Sequence, residues 1–485
     1  MMNLQNEQEI SNERQEKNEQ AADWESTGKT YLGTILDDDE QLIIKDEPPT
    51  FRCPKVLPRL RNSKRSKDYF DPKIVSFGPY HHGKAELQAT QKIKTKVMRK
   101  FILGHGKKIE DLYNKVRLLN GYAKGCYVDG STDAYGDEEF ALMMLQDGCF
   151  ILLLIEFKIP PAGENITNRV VQVFRTAECL KMIVDHLGIF EHRFLYRDML
   201  LLENQIPFVV LKDLMSNIYN ENEGLTMIKS YLYMMYWGKF QEQDTRDKDK
   251  EEPNHLLGLL KTLLSKPGDH HEKTKQEIMV LDVTRYLQSS GSVSDLQAKG
   301  INLKPGNSTS LLSTLLMRKP KSISLRDVDF RSGFFTGELK LPPLLVGGFI
   351  QEYITNLIAL EMSDYRNDST VASYIDFMNS LVDNPGDVKT LRSKRIILHA
   401  MNSDEEMFKL LKDLSSPDWI PNSSIYQGVR EKIEKHYNSK RKIWIADIRH
   451  EYFSHPWSAI SLLAAAVVLI LTFLQTFFTI YPRKA

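Results

Sequence analysis

The chain has 485 residues, 64 Lys and Arg against 64 Asp and Glu, and four cysteines. Its length exceeds a usual single core and predicts one large or two smaller domains. Cys53, Cys126, Cys149 and Cys179 form no CxxC pair, so they read as reduced, buried thiols rather than a zinc or disulfide framework. The zero net charge conceals a polarity along the chain.

Residues 1–50 carry 13 acidic and 4 basic side chains, and "NEQEISNERQEKNEQAADWE" offers almost nothing to bury. An acidic, disordered arm is expected there, with neither the apolar stretch of a secretion signal nor the Arg/Ser bias of a transit peptide. Residues 51–120 reverse the balance, with 18 basic and 5 acidic side chains. Within them "RLRNSKRSK", Arg59 to Lys67, is a candidate phosphate contact, but no interleaved aromatics or nucleic-acid module accompany it. It reads as a solvated face or a partner of the acidic arm, and nucleic acid is not an expected partner.

"VSFGPYHHGK", Val75 to Lys84, sets His81 and His82 between turn formers, Gly78-Pro79 and Gly83. A metal site needs three or four convergent ligands, and neighbouring side chains of an extended segment point apart. The expected role is a structural turn with imidazole–backbone hydrogen bonds. "ATQKIKTKVMRKFILG" spaces Ile93, Val97 and Phe101 four apart, predicting an amphipathic helix with a basic outer face. "DEEFALMMLQDGCFILLLIEF" opens with acids suited to a helix N-terminus and becomes nearly all apolar. Asp147 and Glu156 make it a central core helix rather than a membrane span. "RDMLLLENQIPFVVLKDL" predicts two helices meeting at a joint that Pro207 ends. Glu203, Asn204 and Gln205 sit in that joint, as an acid or base flanked by amides or as groups that satisfy free backbone donors.

Residues 240–275 are dominated by charge around a short amphipathic island and read as an exposed insertion. A second histidine pair, His270 and His271, falls there. "SISLRDVDFRSGFFTGELKLPPLLV" suggests a small β hairpin around "RSGFFTG". Helices resume in "FIQEYITNLIALEMS" and "TVASYIDFMNSLV", and Ser403 three residues before Glu406 is a capping-box signature. "SIYQGVREKIEKHYNSKRKIWIADIRHEYF" predicts a long helix leading to the C-terminal segment.

Ser458 to Ile480 is 23 residues without a charge. As a helix it would be about 34 Å long, enough to cross a bilayer core of about 30 Å with some tilt. Trp457 and Tyr481 flank it as interfacial aromatics, and four residues, 482–485, follow. Lys440, Arg441, Lys442 and Arg449 precede the span, which favours a cytosolic body inserted after synthesis. The compartment stays open, the plasma membrane included. Asn-X-Ser/Thr triplets at Asn165, Asn307, Asn367 and Asn422 would be unmodified in the cytosol. No Gly-rich phosphate loop, GxSxG, HExxH or kinase motif set occurs, so no cofactor is implied and no catalytic residue is assigned.

In order, "TFRCPKVLPRL", "DPKIVSFGPYHHGK", "MMLQDGCFILLL", "LLLENQIPFVVL", "SVSDLQAKGI", "FFTGELKLPPL", "FIQEYITNLIALE" and "YFSHPWSAISLLAAAVVLILTFLQ" occur from Phe51 onward. This series resembles the plant-specific "domain of unknown function 247" family. The resemblance implies a helical, C-terminally membrane-anchored protein without established catalytic residues. Grass members are implicated in pollen self-incompatibility, which is recognition rather than catalysis, and that role is not carried to this chain. The departures are Cys53, where bulkier apolar residues are commoner, and the charged insertion.

The expected architecture is a mainly α body, residues 51–455, with a minor β hairpin and one transmembrane helix at 457–481. The expected function is protein–protein recognition or signalling at a membrane, with the bilayer and unidentified proteins as partners. The alternative is a membrane-bound enzyme with a site around His81, His82 and Glu203.

Overall fold

The computed structural model describes residues 53–62, 67–160, 166–219, 222–237, 253–266, 291–306, 324–333, 336–363, 368–415, 423–438 and 456–480. The acidic arm, His270 and His271, the asparagines of the four glycosylation triplets, the basic run 440–449 and the tail from Tyr481 lie outside the described residues.

Among the described residues from Cys53 to Lys84 there is no strand, only an isolated bridge from Cys53 to Tyr127 and short helical turns such as Pro58–Arg61. α1 (Gln88–Gly104) follows, and its buried face is Ile93, Val97, Phe101, Met98 and Ile102, the four-residue spacing expected of it. Lys92, Lys96 and Arg99 form the basic outer face, but Lys94 is fully buried. α2 (Ile109–Leu118) begins with Glu110 and Asp111 and ends with Lys115 and Arg117, the charge order a helix dipole favours.

α3 (Asp137–Lys158) is the central helix expected, with α1, α2, α4, α6 and α7 packed around it. Here α4 is Ile166–Leu187, α6 is Phe208–Ile218 and α7 is Glu223–Trp237. Among the described residues, α3 is the helix long and apolar enough to cross a membrane, yet 89% of its most apolar 18-residue stretch is buried inside the fold. Each buried Leu, Ile, Met or Phe contributes roughly 1.5–3 kcal/mol, so α3 is a core element by energetics as well as by position. α4 runs antiparallel to α1, with Lys100 Nζ 2.7 Å from Glu178, His186 Nε2 2.9 Å from the Ala89 carbonyl and Arg175 donating to the Gly104 carbonyl.

α5 (His192–Asp198) ends before the apolar run Met199–Leu202, which is not helical, and Pro207 is the N-cap of α6. α8 (Leu256–Ser265) corrects one expectation: the island within the charged insertion is not exposed. Leu256, Leu257, Leu259, Leu260, Leu263 and Leu264 are all buried, docked on α7, α10 and α11.

α9 (Val293–Ala298) opens with a capping box between Ser292 and Asp295. The hairpin forms as expected, with β2 (Asp329–Ser332) antiparallel to β3 (Gly337–Leu341), and β1 (Ile301–Pro305) adds in parallel on the other edge of β3. β4 (Leu344–Val346) pairs in parallel with β5 (Ile397–His399). The helices between and after them are α10 (Ile350–Ser363), α11 (Thr370–Ser380), α12 (Pro385–Ser393), α13 (Asp404–Leu414) and α14 (Gln427–Tyr437). At α13, Ser403 accepts from the Glu406 N–H, but the return bond from Glu406 goes to the Asn402 N–H, one residue earlier than in a full capping box. The long helix expected after Ser424 is described only as α14, because residues 439–455 lie outside the described set.

α15 (Pro456–Ile480) contains Trp457, Ser458 and Ile480. Its described side chains from Ala464 to Thr476 are all exposed, an apolar stretch shorter than a membrane span. The fold is thus mainly helical, and the reading of α15 as a span rests on the sequence of the whole helix.

Candidate functional site

The backbone around Val75–Pro79 is buried, and among the described residues no strand pairs with it. Buried amides and carbonyls must be paired, so side chains have to supply what a sheet would. Asp198, at the end of α5, accepts from the N–H groups of Lys73, Ile74 and Val75 through one oxygen, at 3.0, 2.8 and 3.1 Å. Asn204 accepts from the Phe77 N–H at 2.7 Å and donates to the Val75 carbonyl at 2.9 Å. Asp147, from the middle of α3, accepts from the Gly78 N–H at 2.8 Å. Thr90 donates to the Ile74 carbonyl and Lys94 to that of Ser76. The segment is therefore held like a strand whose partner is assembled from α1, α3, α5 and the joint before α6.

Two buried cations complete this frame. Lys94 Nζ lies 2.5 Å from Asp147 Oδ1, with both side chains essentially unexposed. Arg197, fully buried, donates to Asp198 Oδ1 at 2.9 Å and to the carbonyls of Asp71 and Asp68 at 3.0 and 2.9 Å.

The joint does what satisfied backbone groups require, but with carbonyls and with distant donors. Asn204 Nδ2 donates to the Asp198 carbonyl, and Gln205 Nε2 donates to those of Met199 and Leu201. Of these, the Asp198 carbonyl is one that the end of α5 leaves over, and those of Met199 and Leu201 belong to the non-helical joint. Gln205 Oε1 also accepts from the Leu257 N–H of α8. Glu203 accepts from the Val56 N–H at 2.8 Å, and its other oxygen is 2.5 Å from Arg61 NH2.

His81 is 3% exposed and lies between two carboxylates, with Nε2 3.7 Å from Glu203 and Nδ1 3.9 Å from Asp71. Neither ring nitrogen has a hydrogen-bond partner among the described residues, so the imidazole–backbone bonds expected at this turn do not form at His81. The turn itself is present: Gly78 and Gly83 have φ of 70° and 81°, and the His82 and Lys84 N–H groups reach the Pro79 and His81 carbonyls. The His82 ring packs edge-on against Tyr135, with centroids 5.6 Å apart, rather than against Glu203. Of the three residues in the enzyme alternative, His81 and Glu203 meet and His82 does not join them. Both members of the meeting pair are buried, and Glu203 is already occupied by Val56 and Arg61. Among the described residues no group of three His, Cys, Asp or Glu is placed to hold a metal ion.

Burial, reinforced by the positive charge of Lys84, pushes His81 down to about 4, and Arg61 and Lys55 act in the same direction against Asp71. A folded pKa below the unfolded value of about 6.5 means that the unfolded chain takes up the proton first. The His81 contribution is therefore complete above pH 6.5 and is lost as pH falls from 6.5 toward 4. Compared with His81→Gln, the native chain should lose about 1.5 kcal/mol more stability between pH 6.5 and 5. Urea midpoints at several pH values read this directly. Parallel curves for the two proteins would mean that folding leaves the His81 pKa at its ordinary value, with Asp71 and Glu203 offsetting burial.

A second polar cluster was missed in the sequence. Glu156 of α3 accepts from Thr176 and Tyr219 hydroxyls, both at 2.6 Å, and lies 3.2 Å from His105 Nε2. Burial pushes the Glu156 carboxyl up, but His105 and the two hydroxyls outweigh it and hold it below its ordinary value. The signal available was Glu156 itself, an acid inside an otherwise apolar helix.

The profile of the DUF247 family, described as plant protein of unknown function, matches residues 53–471. The chain belongs to the DUF247 family. Among curated relatives, UPF0481 protein At3g47200 of Arabidopsis thaliana is 27% identical, over 88% of this chain and 85% of its own length. Putative UPF0481 protein At3g02645 of the same plant is 20% identical, over 85% of this chain and 88% of its own length. No solved structure matches the chain. The DUF247 match opens at Cys53, whose N–H donates to the Cys126 carbonyl and whose own carbonyl accepts from Tyr80. The matched region thus includes the whole clamped segment, Lys73 to Gly78.

Proposed function

We propose that this DUF247 protein is a membrane-anchored recognition protein, with α15 crossing the bilayer and the helical body presented on the cytosolic side to protein partners. The observation that carries the reading is α15 itself. The helix has no charged residue from Pro456 to Ile480, and Val467, Val468, Leu469, Ile470, Leu471, Phe473 and Leu474 are 42–71% exposed. Seven large apolar side chains left a little over half exposed forgo roughly 6–12 kcal/mol of transfer free energy, which a lipid environment restores. The basic residues Lys440, Arg441, Lys442 and Arg449 before the helix favour the cytosolic side for the body. The recognition reading is supported by Asp147, Asp198, Glu203 and Asn204, which are buried and engaged with backbone rather than open to a substrate.

The full chain expressed in plant cells is expected in the membrane fraction and resistant to alkaline carbonate, and a chain lacking residues 456–480 is expected in the soluble fraction. Proximity labelling should then give different neighbours for the two chains. Carbonate extraction of the full chain, or the same neighbours with and without the helix, would contradict the proposal.

A further inference from the structure

Lys92, Lys96, Arg99 and Leu103 follow one another at spacings of four, three and four along α1, which places them on one face of the helix. All four are exposed, and α1 contains no acidic residue. Lys92, Lys96 and Arg99 have no ion-pair partner among the described residues, whereas Lys100 is paired with Glu178. Lys107 and Lys108, also exposed, extend the positive charge past the helix end. At that end Arg175 of α4 reaches the Gly104 carbonyl, which brings Val173 and Phe174, 50% and 69% exposed, to the same end of the helix pair as Leu103, 59% exposed. Toward the other end, a groove of about 480 Å³ opens between α1 and α4, lined by Lys92, Ile93, Lys96, Met182, Asp185 and His186.

From this we infer that the α1–α4 face docks on an anionic bilayer surface, with the lysine-lined groove taking a phospholipid headgroup and Leu103, Val173 and Phe174 entering the interface. The inference rests on the membrane reading of α15. It adds an orientation of the helical body at the bilayer, which α15 alone does not set. A basic stripe ending in exposed apolar side chains suits a lipid interface, where charge meets headgroups and the apolar groups meet acyl chains. A phosphate backbone in water would satisfy the lysines and leave Leu103 and Val173 exposed.

The test uses the full chain reconstituted in vesicles of phosphatidylcholine alone, or with phosphatidylserine as about a third of the lipid. A fluorophore is attached at Leu103→Cys, since the four native cysteines are buried, and lipid-borne quenchers sit at headgroup depth. Quenching is expected on the phosphatidylserine vesicles and not on phosphatidylcholine. Each basic side chain near such a surface contributes about fivefold to docking, so K92E/K96E/R99E should shift it by more than about a hundredfold and abolish the quenching. An unchanged unfolding midpoint shows that the triple variant is folded. Equal quenching on both lipids, or quenching that survives the triple substitution, overturns the inference while carbonate resistance keeps the anchor reading intact. Loss of carbonate resistance would instead remove the anchor, and phosphatidylserine-dependent quenching would still support this surface. Stronger protection of the label by an RNA homopolymer at equal phosphate concentration would make it a nucleic-acid surface and also overturn the inference.

Discussion

Asp198→Ala is expected to destabilise the body by about 3 kcal/mol at the least, and up to about 9 kcal/mol. The substitution strips three buried N–H groups, those of Lys73, Ile74 and Val75, of the acceptor they share. Each unsatisfied buried donor costs about 1–3 kcal/mol. Arg197 suffers as well, because it remains buried with only the carbonyls of Asp71 and Asp68 and the Glu352 carboxylate, 3.8 Å from its Nε. An uncompensated buried charge is itself strongly destabilising. Asp198→Asn retains an acceptor oxygen but not the charge, and should fall between alanine and the native chain. Denaturant midpoints of the full chain in detergent would order the three proteins. Hydrogen exchange should localise the loss to residues 73–84 before it reaches α3. A midpoint for Asp198→Ala close to the native value would mean that another group holds this segment.

That expectation was not available from the residues alone, and the reason is separation along the chain. The partners of the clamped segment come from Asp147 and Asp198, whose bonds to Gly78 and Val75 span 69 and 123 positions. No local period encodes such a pairing. What periodicity does encode was legible: the buried face of α1, the apolar body of α3 and the β2–β3 hairpin all follow from spacing or alternation. Met199–Leu202 failed as helix because Asn204 and Gln205 place their amides on the carbonyls that a continuing helix would have used. α8 was hidden for a different reason. Its leucines are surrounded in sequence by charge, and composition averaged over residues 240–275 masks a ten-residue helix that the core buries. Lys94 is the clearest case of tertiary override: its neighbours Lys92 and Lys96 are exposed, while Asp147 and the Ser76 carbonyl draw Lys94 inside.

Gly78 and Gly83 separate the two ways in which a glycine can be required, and the pair yields the second large effect. Both adopt left-handed backbone, with φ of +70° and +81°. At Gly83 an added Cβ would meet nothing within 4 Å, so Gly83→Ala should cost only the conformational penalty, about 1–2 kcal/mol. At Gly78 the same carbon would lie 2.6 Å from the Gln205 carbonyl oxygen and 2.8 Å from the Tyr127 hydroxyl. These two atoms are hydrogen-bonded to each other at 3.0 Å, and the Gly78 N–H is bonded to Asp147. Relief would have to move the Gln205 backbone, whose side chain closes α5 and pairs with α8. Gly78→Ala should therefore cost about 4 kcal/mol or more, in the range reserved for broken cores and networks. Urea unfolding of both variants, with the far-ultraviolet spectrum of each as a fold check, compares strain alone with strain plus collision. Equal losses at the two positions would show that the close approach of Gly78 to the joint is relieved without cost, and that the joint does not grip the turn.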